Sequence, residues 1–252
     1  MTPDSFSGDG LSGVEAAVTR ARQMADEGAD LLDIGAESTR PETWSGPGLP
    51  EAEEMGRVLP VIEAIARAVT IPLSVDTYKA AVARRAIDAG AGLVNDVFAL
   101  RRDPDMAAVV ATAGVPVILM HNGSGGAVTD LMGAIVRELE ESLALAEAAG
   151  IERSRVLIDP GIGFGKTREG NLEIIRRLPE LKTLDCPILI GPSRKSFIGK
   201  TLDLPVEERL EGTASAVALS IAGGADVVRV HDVKAMVRVA RMADAVVRGA
   251  AT

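Results

Sequence analysis

The sequence predicts an α/β fold made of a parallel βα repeat, with a (β/α)8 barrel as the favoured architecture. Three observations carry this. Short apolar runs recur at Leu31–Ile34, Pro72–Val75, Gly92–Val94, Val115–Met120, Val156–Ile158, Pro187–Ile190 and Val227–Val230. Each is apolar on both faces, as parallel strands covered on both sides require. Helix-period stretches lie between the runs, and polar residues follow nearly every one of them. A doubly wound sheet is the alternative from the same repeat. It would ordinarily carry a Gly-rich phosphate turn after its first strand, whereas polar strand ends suit a barrel mouth.

The elements follow in order. Val14, Ala17, Val18, Ala21 and Met24 are spaced for one face of a first helix. Later helical stretches run into Gly28, Gly90, Gly114, Gly150 and Gly224. Glycine accepts the left-handed conformation that closes a helix, so these read as C-caps feeding the next strand. No long Pro/Ser-rich linker interrupts the repeat, so residues 1–252 are expected to form a single domain. With 252 residues and 47% hydrophobic content, the chain has ample material for a core.

Composition excludes several function classes. The one cysteine, Cys186, cannot form an intramolecular disulfide, which points to a reducing, cytoplasmic compartment. The longest apolar stretch, Met106–Met120, is broken by Gly114 and Pro116 and is too short to span a bilayer. No basic-then-apolar leader opens the chain, so no membrane association is expected. A net charge of −9 and an aromatic content of 2% argue against a nucleic-acid partner.

The residues closing the strands form a polar ring. Asp33 lies near the end of the first run, with Glu37, Ser38, Thr39 and Arg40 after it; Asp76 and Thr77 follow the second, Asn95 and Asp96 the third. His121 and Asn122, then Asp159, then Ser193–Ser196, then Arg229, His231 and Asp232 close the rest. An Asp after a strand often only caps the next helix. Asp76 and Asp159, however, have no cation beside them in sequence. A ligand with N–H donors, a metal or a cation from another strand has to satisfy them. Gly161-Ile162-Gly163-Phe164-Gly165-Lys166-Thr167 superficially suggests a phosphate-binding P-loop, but that pattern needs glycine where Pro160 stands. Those glycines read instead as a flexible loop passing close to a ligand. Ser193 is expected to N-cap a helix whose start offers amides to an anion. No metal-ligand spacing and no nucleophile motif is present.

Taken together, these motifs resemble the dihydropteroate synthase family over nearly the whole chain. The resemblance rests on Thr2-Pro3-Asp4-Ser5-Phe6-Ser7, Asp33–Pro41, Ser74–Thr77, Asn95–Val97 and Met120-His121. It continues through Asp159–Gly161 with Gly163–Lys166, Ser193–Phe197 and Arg229–Val233. It implies a transferase that joins a dihydropterin pyrophosphate to p-aminobenzoate in folate biosynthesis. The step implied is dissociative, with pyrophosphate leaving before the arylamine attacks. By motif position Asp76, Asn95, Asp159 and Lys195 would hold the pterin. Thr39, Arg40, Arg229 and His231 would contact pyrophosphate. Phe6, Pro41, Phe164, Lys166 and Ser196 would surround p-aminobenzoate. Asp76, Asp159, Lys195 and Arg229 would be the catalytic set. Magnesium on the pyrophosphate is the implied cofactor, a homodimer the implied assembly, and sulfonamides the implied inhibitors.

The sequence departs from the family at its start. Met1 stands where the residue before Thr-Pro-Asp-Ser-Phe belongs, so the expected barrel lacks its first strand. The family Asn that ligates metal or pyrophosphate would lie before Met1, and the resemblance therefore assigns no metal ligand. A catalytically impaired pterin-binding homologue is the alternative that follows. A pterin-dependent methyltransferase shares the Asp/Asn pattern but should lack the Ser-Arg-Lys-Ser-Phe and Thr-Pro-Asp-Ser-Phe loops.

Overall fold

The computed structural model describes residues 10–36, 48–123 and 129–249. Helices and strands alternate through them: α1 (Gly10–Asp26), β1 (Leu32–Gly35), α2 (Glu51–Ala66), β2 (Leu73–Asp76), α3 (Ala80–Asp88), β3 (Leu93–Asp96), α4 (Met106–Ala113) and β4 (Val117–Met120). Then come α5 (Leu131–Ala148), β5 (Val156–Asp159), α6 (Arg168–Arg177), β6 (Leu189–Ile190), α7 (Ser196–Leu202), α8 (Leu210–Ala222), β7 (Val227–Val228) and α9 (Val233–Val247). Every expected apolar run contains a strand. Strands β2, β3 and β5 extend past their runs to end on a carboxylate: Asp76, Asp96 and Asp159. Gly28, Gly90, Gly114, Gly150 and Gly224 all have positive φ, and Gly114 is the left-handed C-cap of α4, as the sequence implies.

The chain divides into two compact units, Met1–Leu119 with Ser142–Val156, and Met120–Glu141 with Leu157–Thr252. In the first, β1 to β4 pair in parallel and in sequence order. Gly35 lies beside Asp76, Asp76 beside Asn95, and Asp96 beside Leu119. Ile34, Val75, Val94 and Leu119 of these strands are buried, as are Ala17 and Ala21 of α1, Val58, Ile62 and Ile65 of α2, and Val82 and Ala86 of α3. The helical positions recur at three- and four-residue intervals, so one stripe of each helix is removed from water.

In the second unit Ile158 of β5 bridges to Ile188, and β6 pairs with β7 in parallel. β6 ends at Ile190 because Gly191-Pro192 follows, and proline has no N–H for a ladder. α8 and α9 close over Val217, Ile221 and Met236.

In the first unit, the end of β3 shows how a buried carboxylate can be spent on structure. The Asp96 oxygens accept the amides of Phe98 at 2.9 Å and Leu100 at 2.8 Å. They hold a turn in which Ala99 and Leu100 take left-handed φ values of 54° and 65°, a conformation costly to residues with a Cβ. Burial raises the Asp96 carboxyl to about 6, against the pull of those two amides. Its pKa is therefore higher folded than unfolded, and the folded chain binds the extra proton between 3.8 and about 6. The stabilising contribution is complete below the unfolded value and is lost as pH rises through the folded one. The unfolding free energy of the parent minus that of Asp96→Asn should fall by about 2 kcal/mol from roughly pH 4 to roughly pH 7. Denaturant titrations giving a flat difference over that range would contradict this.

Candidate active site

Two sets of polar strand ends form, one in each unit. In the first unit Asp33, Ser74, Asp76 and Asn95 stand on adjacent parallel strands. The Ser74 hydroxyl donates to Asp33 Oδ1, and Asn95 Nδ2 donates to Asp33 Oδ2 at 3.3 Å. Asp33 thus ties β1 to β2 and β3 through side chains. The structure brings the two expected pterin residues of this unit, Asp76 and Asn95, side by side in the register, and both are buried. Gly35 makes room for Asp76, because a Cβ at Gly35 would lie 3.2 Å from the Asp76 Cβ.

The segment after Asp76 is braced from behind. Thr77 donates its amide to the Asn95 carbonyl at 3.1 Å and its hydroxyl to Glu54 Oε1 at 2.7 Å. Glu54 also takes the Lys79 ammonium at 2.5 Å, and Lys79 reaches the Leu49 carbonyl at 2.5 Å. Both charges are buried, so removing either partner would strand the other without solvent.

In the second unit the centre is Asp159, only 8% exposed at the end of β5. Its Oδ1 accepts the Gly161 amide at 2.7 Å. Burial pushes its carboxyl above the usual range, opposed by Lys195, the Gly161 amide, Lys166 and Arg229. The compensating cations come from the loops after β5, β6 and β7. Of the partners the sequence left open for Asp159, cations from other strands are thus brought near it, on the loops that carry Lys195 and Arg229.

Lys195 lies over the loop that follows Asp159. Its Nζ donates to the Ile162 carbonyl and sits 4.7 Å from the centre of the Phe164 ring. Lys166 turns inward to three backbone oxygens, Gly161 at 2.9 Å, Phe164 at 3.1 Å and His121 at 3.2 Å. Burial lowers its ammonium to about 8, with Asp159 and Glu138 pulling it back up. His121 donates its amide to the Asp159 carbonyl at 2.8 Å, and its Nε2 lies 3.4 Å from Glu138. The loop that the sequence suggested was flexible is therefore braced from within.

The turn after β6 differs from expectation. Ser193 does not cap α7; Lys195 occupies the cap position, with no side-chain bond to the helix. Ser193 Oγ instead accepts the His231 amide at 3.2 Å and stands 2.9 Å from His231 Nδ1, joining the turn to the segment after β7. The reason is the conformation of Arg194, whose φ of 55° reverses the chain before the helix begins. Arg194 is held by a two-pronged bond to Asp232 at 2.8 and 2.6 Å, and its amide reaches Thr213 Oγ1 at 3.0 Å. Ser196 opens α7, while Arg229 and His231 are exposed beyond β7.

Phe6, Thr39, Arg40 and Pro41 lie outside the described residues. Sequence reasoning passed over the supporting groups: Asp33 as a hub between strands, Glu138 beside His121, and Asn171 beneath the Gly161–Lys166 loop. Asn171 had one readable signal, a polar residue on the inward stripe of α6 next to Ile174 and Ile175. Among the described residues no group of three or more His, Cys, Asp or Glu is arranged to hold a metal ion, and no helix is long and apolar enough to cross a membrane.

Comparison with known proteins adds an independent line. The model of the pterin binding enzyme family matches residues 1–231. The dihydropteroate synthase of Bacillus subtilis is 47% identical over 246 residues, 97% of this chain and 85% of that protein. A solved dihydropteroate synthase from Clostridium difficile, determined in the presence of pteroic acid, superposes with a TM-score of 0.93 at 44% identity, covering 98% of this chain and 94% of that one. One from Xanthomonas albilineans, with 4-aminobenzoic acid, gives 0.91 at 46% identity over 97% of this chain and 89% of that one. The repeat is accordingly of the (β/α)8 barrel class, and the substrates are small molecules. The chain belongs to the pterin-binding enzyme family and, within it, to the dihydropteroate synthases, transferases of folate biosynthesis.

Proposed function

We propose that Asp76, Asn95, Asp159 and Lys195 hold the pterin of a dihydropterin pyrophosphate while p-aminobenzoate displaces its pyrophosphate. The observation that supports this most is Asp159, a buried carboxyl with cations of neighbouring loops beside it. Such a group has acceptor capacity for the adjacent N–H donors of a pterin edge, and a ring without them would leave it poorly satisfied. Asp76 and Asn95 offer a second buried acceptor and an amide from the first unit.

In the reaction the bond between the pterin methylene and the pyrophosphate oxygen breaks, and its electron pair leaves with pyrophosphate. The arylamine nitrogen then forms the new C–N bond and gives up a proton. No side-chain nucleophile is required. Arg229 and His231, with Thr39 and Arg40, would stabilise the departing charge, and Ser193 orients the His231 ring. Ser196, Phe164, Phe6 and Pro41 would surround p-aminobenzoate. Lys166 would act there through the loop that its ammonium holds together. This assigns Asp76, Asp159, Lys195 and Arg229 as the catalytic set, within one pterin-binding domain spanning the chain. Magnesium would accompany the pyrophosphate as its counter-ion and help neutralise the leaving group. The described residues provide no cluster to hold the ion by themselves, so no step above is routed through it.

A homodimer and a cytoplasmic location complete the reading. The dimer is supported by Leu219 of α8 and Met242 and Val246 of α9, which are 61%, 65% and 72% exposed. Large apolar side chains left that open on packed helices suit an interface. The lone, buried Cys186 suits a reducing compartment.

Purified protein given 7,8-dihydropterin pyrophosphate, p-aminobenzoate and magnesium should form dihydropteroate; well-folded protein that forms none would refute the catalytic reading. Asp159→Ala should lower affinity for the pterin substrate by about a hundredfold by calorimetry, with the helical circular dichroism retained. Retained parental affinity would refute the pocket. The pair Met242→Glu and Val246→Glu should convert a sedimenting dimer to a monomer, and a parent that already sediments as a monomer would remove the dimer.

A further inference from the structure

The loop from Gly161 to Lys166 is built from glycines that alone would not keep a shape. Gly161, Gly163 and Gly165 all have positive φ, at 70°, 81° and 64°. Each loses more conformational freedom on ordering than a residue with a side chain. Yet Lys195 depends on this loop. Its ammonium bonds the Ile162 carbonyl and lies against the Phe164 ring. Its stem crosses Gly163 so closely that a Cβ there would be 2.6 Å from Lys195 Cδ. The Lys195 stem thus packs directly on the Gly163 backbone.

What holds Gly163 is Asn171. This residue is 2% exposed, in the first turns of α6. Its Oδ1 accepts the Gly163 amide at 2.6 Å, while its Nδ2 donates to the Thr167 carbonyl at 2.7 Å and the Lys166 carbonyl at 3.3 Å. The pattern fixes the orientation of the carboxamide, since its oxygen faces an N–H and its nitrogen faces two carbonyls. The helix start does not need Asn171 for capping, because Thr167 Oγ1 already accepts the Gly170 amide at 3.0 Å. Asparagine is also a weak choice inside a helix. Its side chain here serves the loop.

We propose that Asn171 is a positioning residue for Lys195, its carboxamide pinning Gly163 so that the loop presents one fixed seat for the lysine ammonium. The proposal rests on the reading of Lys195 as a pterin ligand. It adds a requirement that neither amide function of Asn171 can be dispensed with. Lys166, bonded to carbonyls at both ends of the same loop, acts as a second brace. It does not substitute for Asn171, because its contacts leave the Gly163 amide untouched.

The test uses the full chain carrying Asn171→Ala or Asn171→Asp. Affinity for 7,8-dihydropterin pyrophosphate with magnesium is measured by calorimetry, and exchange of the Gly163 and Phe164 amides by hydrogen–deuterium exchange. Asn171→Ala should bind the pterin substrate about tenfold more weakly and exchange those amides about tenfold faster, with the helical circular dichroism retained. Asn171→Asp keeps an acceptor for Gly163 but turns a carboxylate toward two carbonyls. Near pH 8 it should be about as weak as the alanine variant, and it should recover toward the parent as pH falls to about 6, when proton uptake restores one donor. The alanine-to-parent ratio should stay flat over the same range. A merely structural asparagine would lower the melting temperature without this selective, pH-dependent loss.

Parental affinity in Asn171→Ala, unchanged exchange at Gly163, or identical flat pH ratios for both variants would each overturn the proposal. If Asn171→Ala fails to fold, the near-isosteric Asn171→Asp carries the test through its pH ratio. If the parent itself does not bind the pterin substrate, the functional reading fails while the exchange measurement still decides whether Asn171 holds Gly163.

Discussion

Asp159 sets the terms for the second unit, because a carboxylate taken out of water must be met by donors and opposite charge brought to it. The strand that carries it supplies neither. The Gly161 amide supplies one hydrogen bond, and the rest comes from Lys166, Lys195 and Arg229 on three different loops. Movement of these loops away from Asp159 would leave its carboxyl with less opposing charge. The same loops are braced by the carbonyls that receive Lys166, the ring beneath Lys195 and the amide bridge of Asn171.

The first unit meets the same problem by other means. Asp33 is satisfied by a hydroxyl and an amide on neighbouring strands, Glu54 by a lysine and a threonine, and Asp96 by two amides of its own turn. The chemistry of the partner decides what each carboxylate is for. Asp96 faces its own backbone and shapes a turn. Asp33 faces side chains and sets the position of Asn95. A buried acid is thus not by itself a mark of catalysis, and similar-looking acids divide into different tasks.

Much of this was legible in the sequence, for a physical reason. Strands covered on both faces must be apolar throughout, so their runs stand out, and the carboxylates closing them stand out against the runs. The motifs in order disclosed the family. What could not be read was the pairing between distant segments. Ser193 looks like a helix cap until Arg194 is seen to reverse the chain, after which its hydroxyl meets His231. Lys166 looks like a ligand-facing residue of a glycine loop, and only the fold shows the carbonyls around it. Asn171 and Asp33 act across elements, and a single chain carries little trace of such contacts.

The two compact units interleave along the polypeptide, and this bears on how the molecule is made. The first unit stops at Leu119 and resumes at Ser142, after a stretch assigned to the second. Arg101 Nε donates to Ser142 Oγ at 3.1 Å, and the Gly114 carbonyl accepts from Arg155 at 2.8 Å. A nascent chain that has emerged only through β4 therefore still lacks both contacts, although all its other strands and helices are present. Neither unit can be excised as one continuous fragment, and cutting the chain between them would leave each half unfinished.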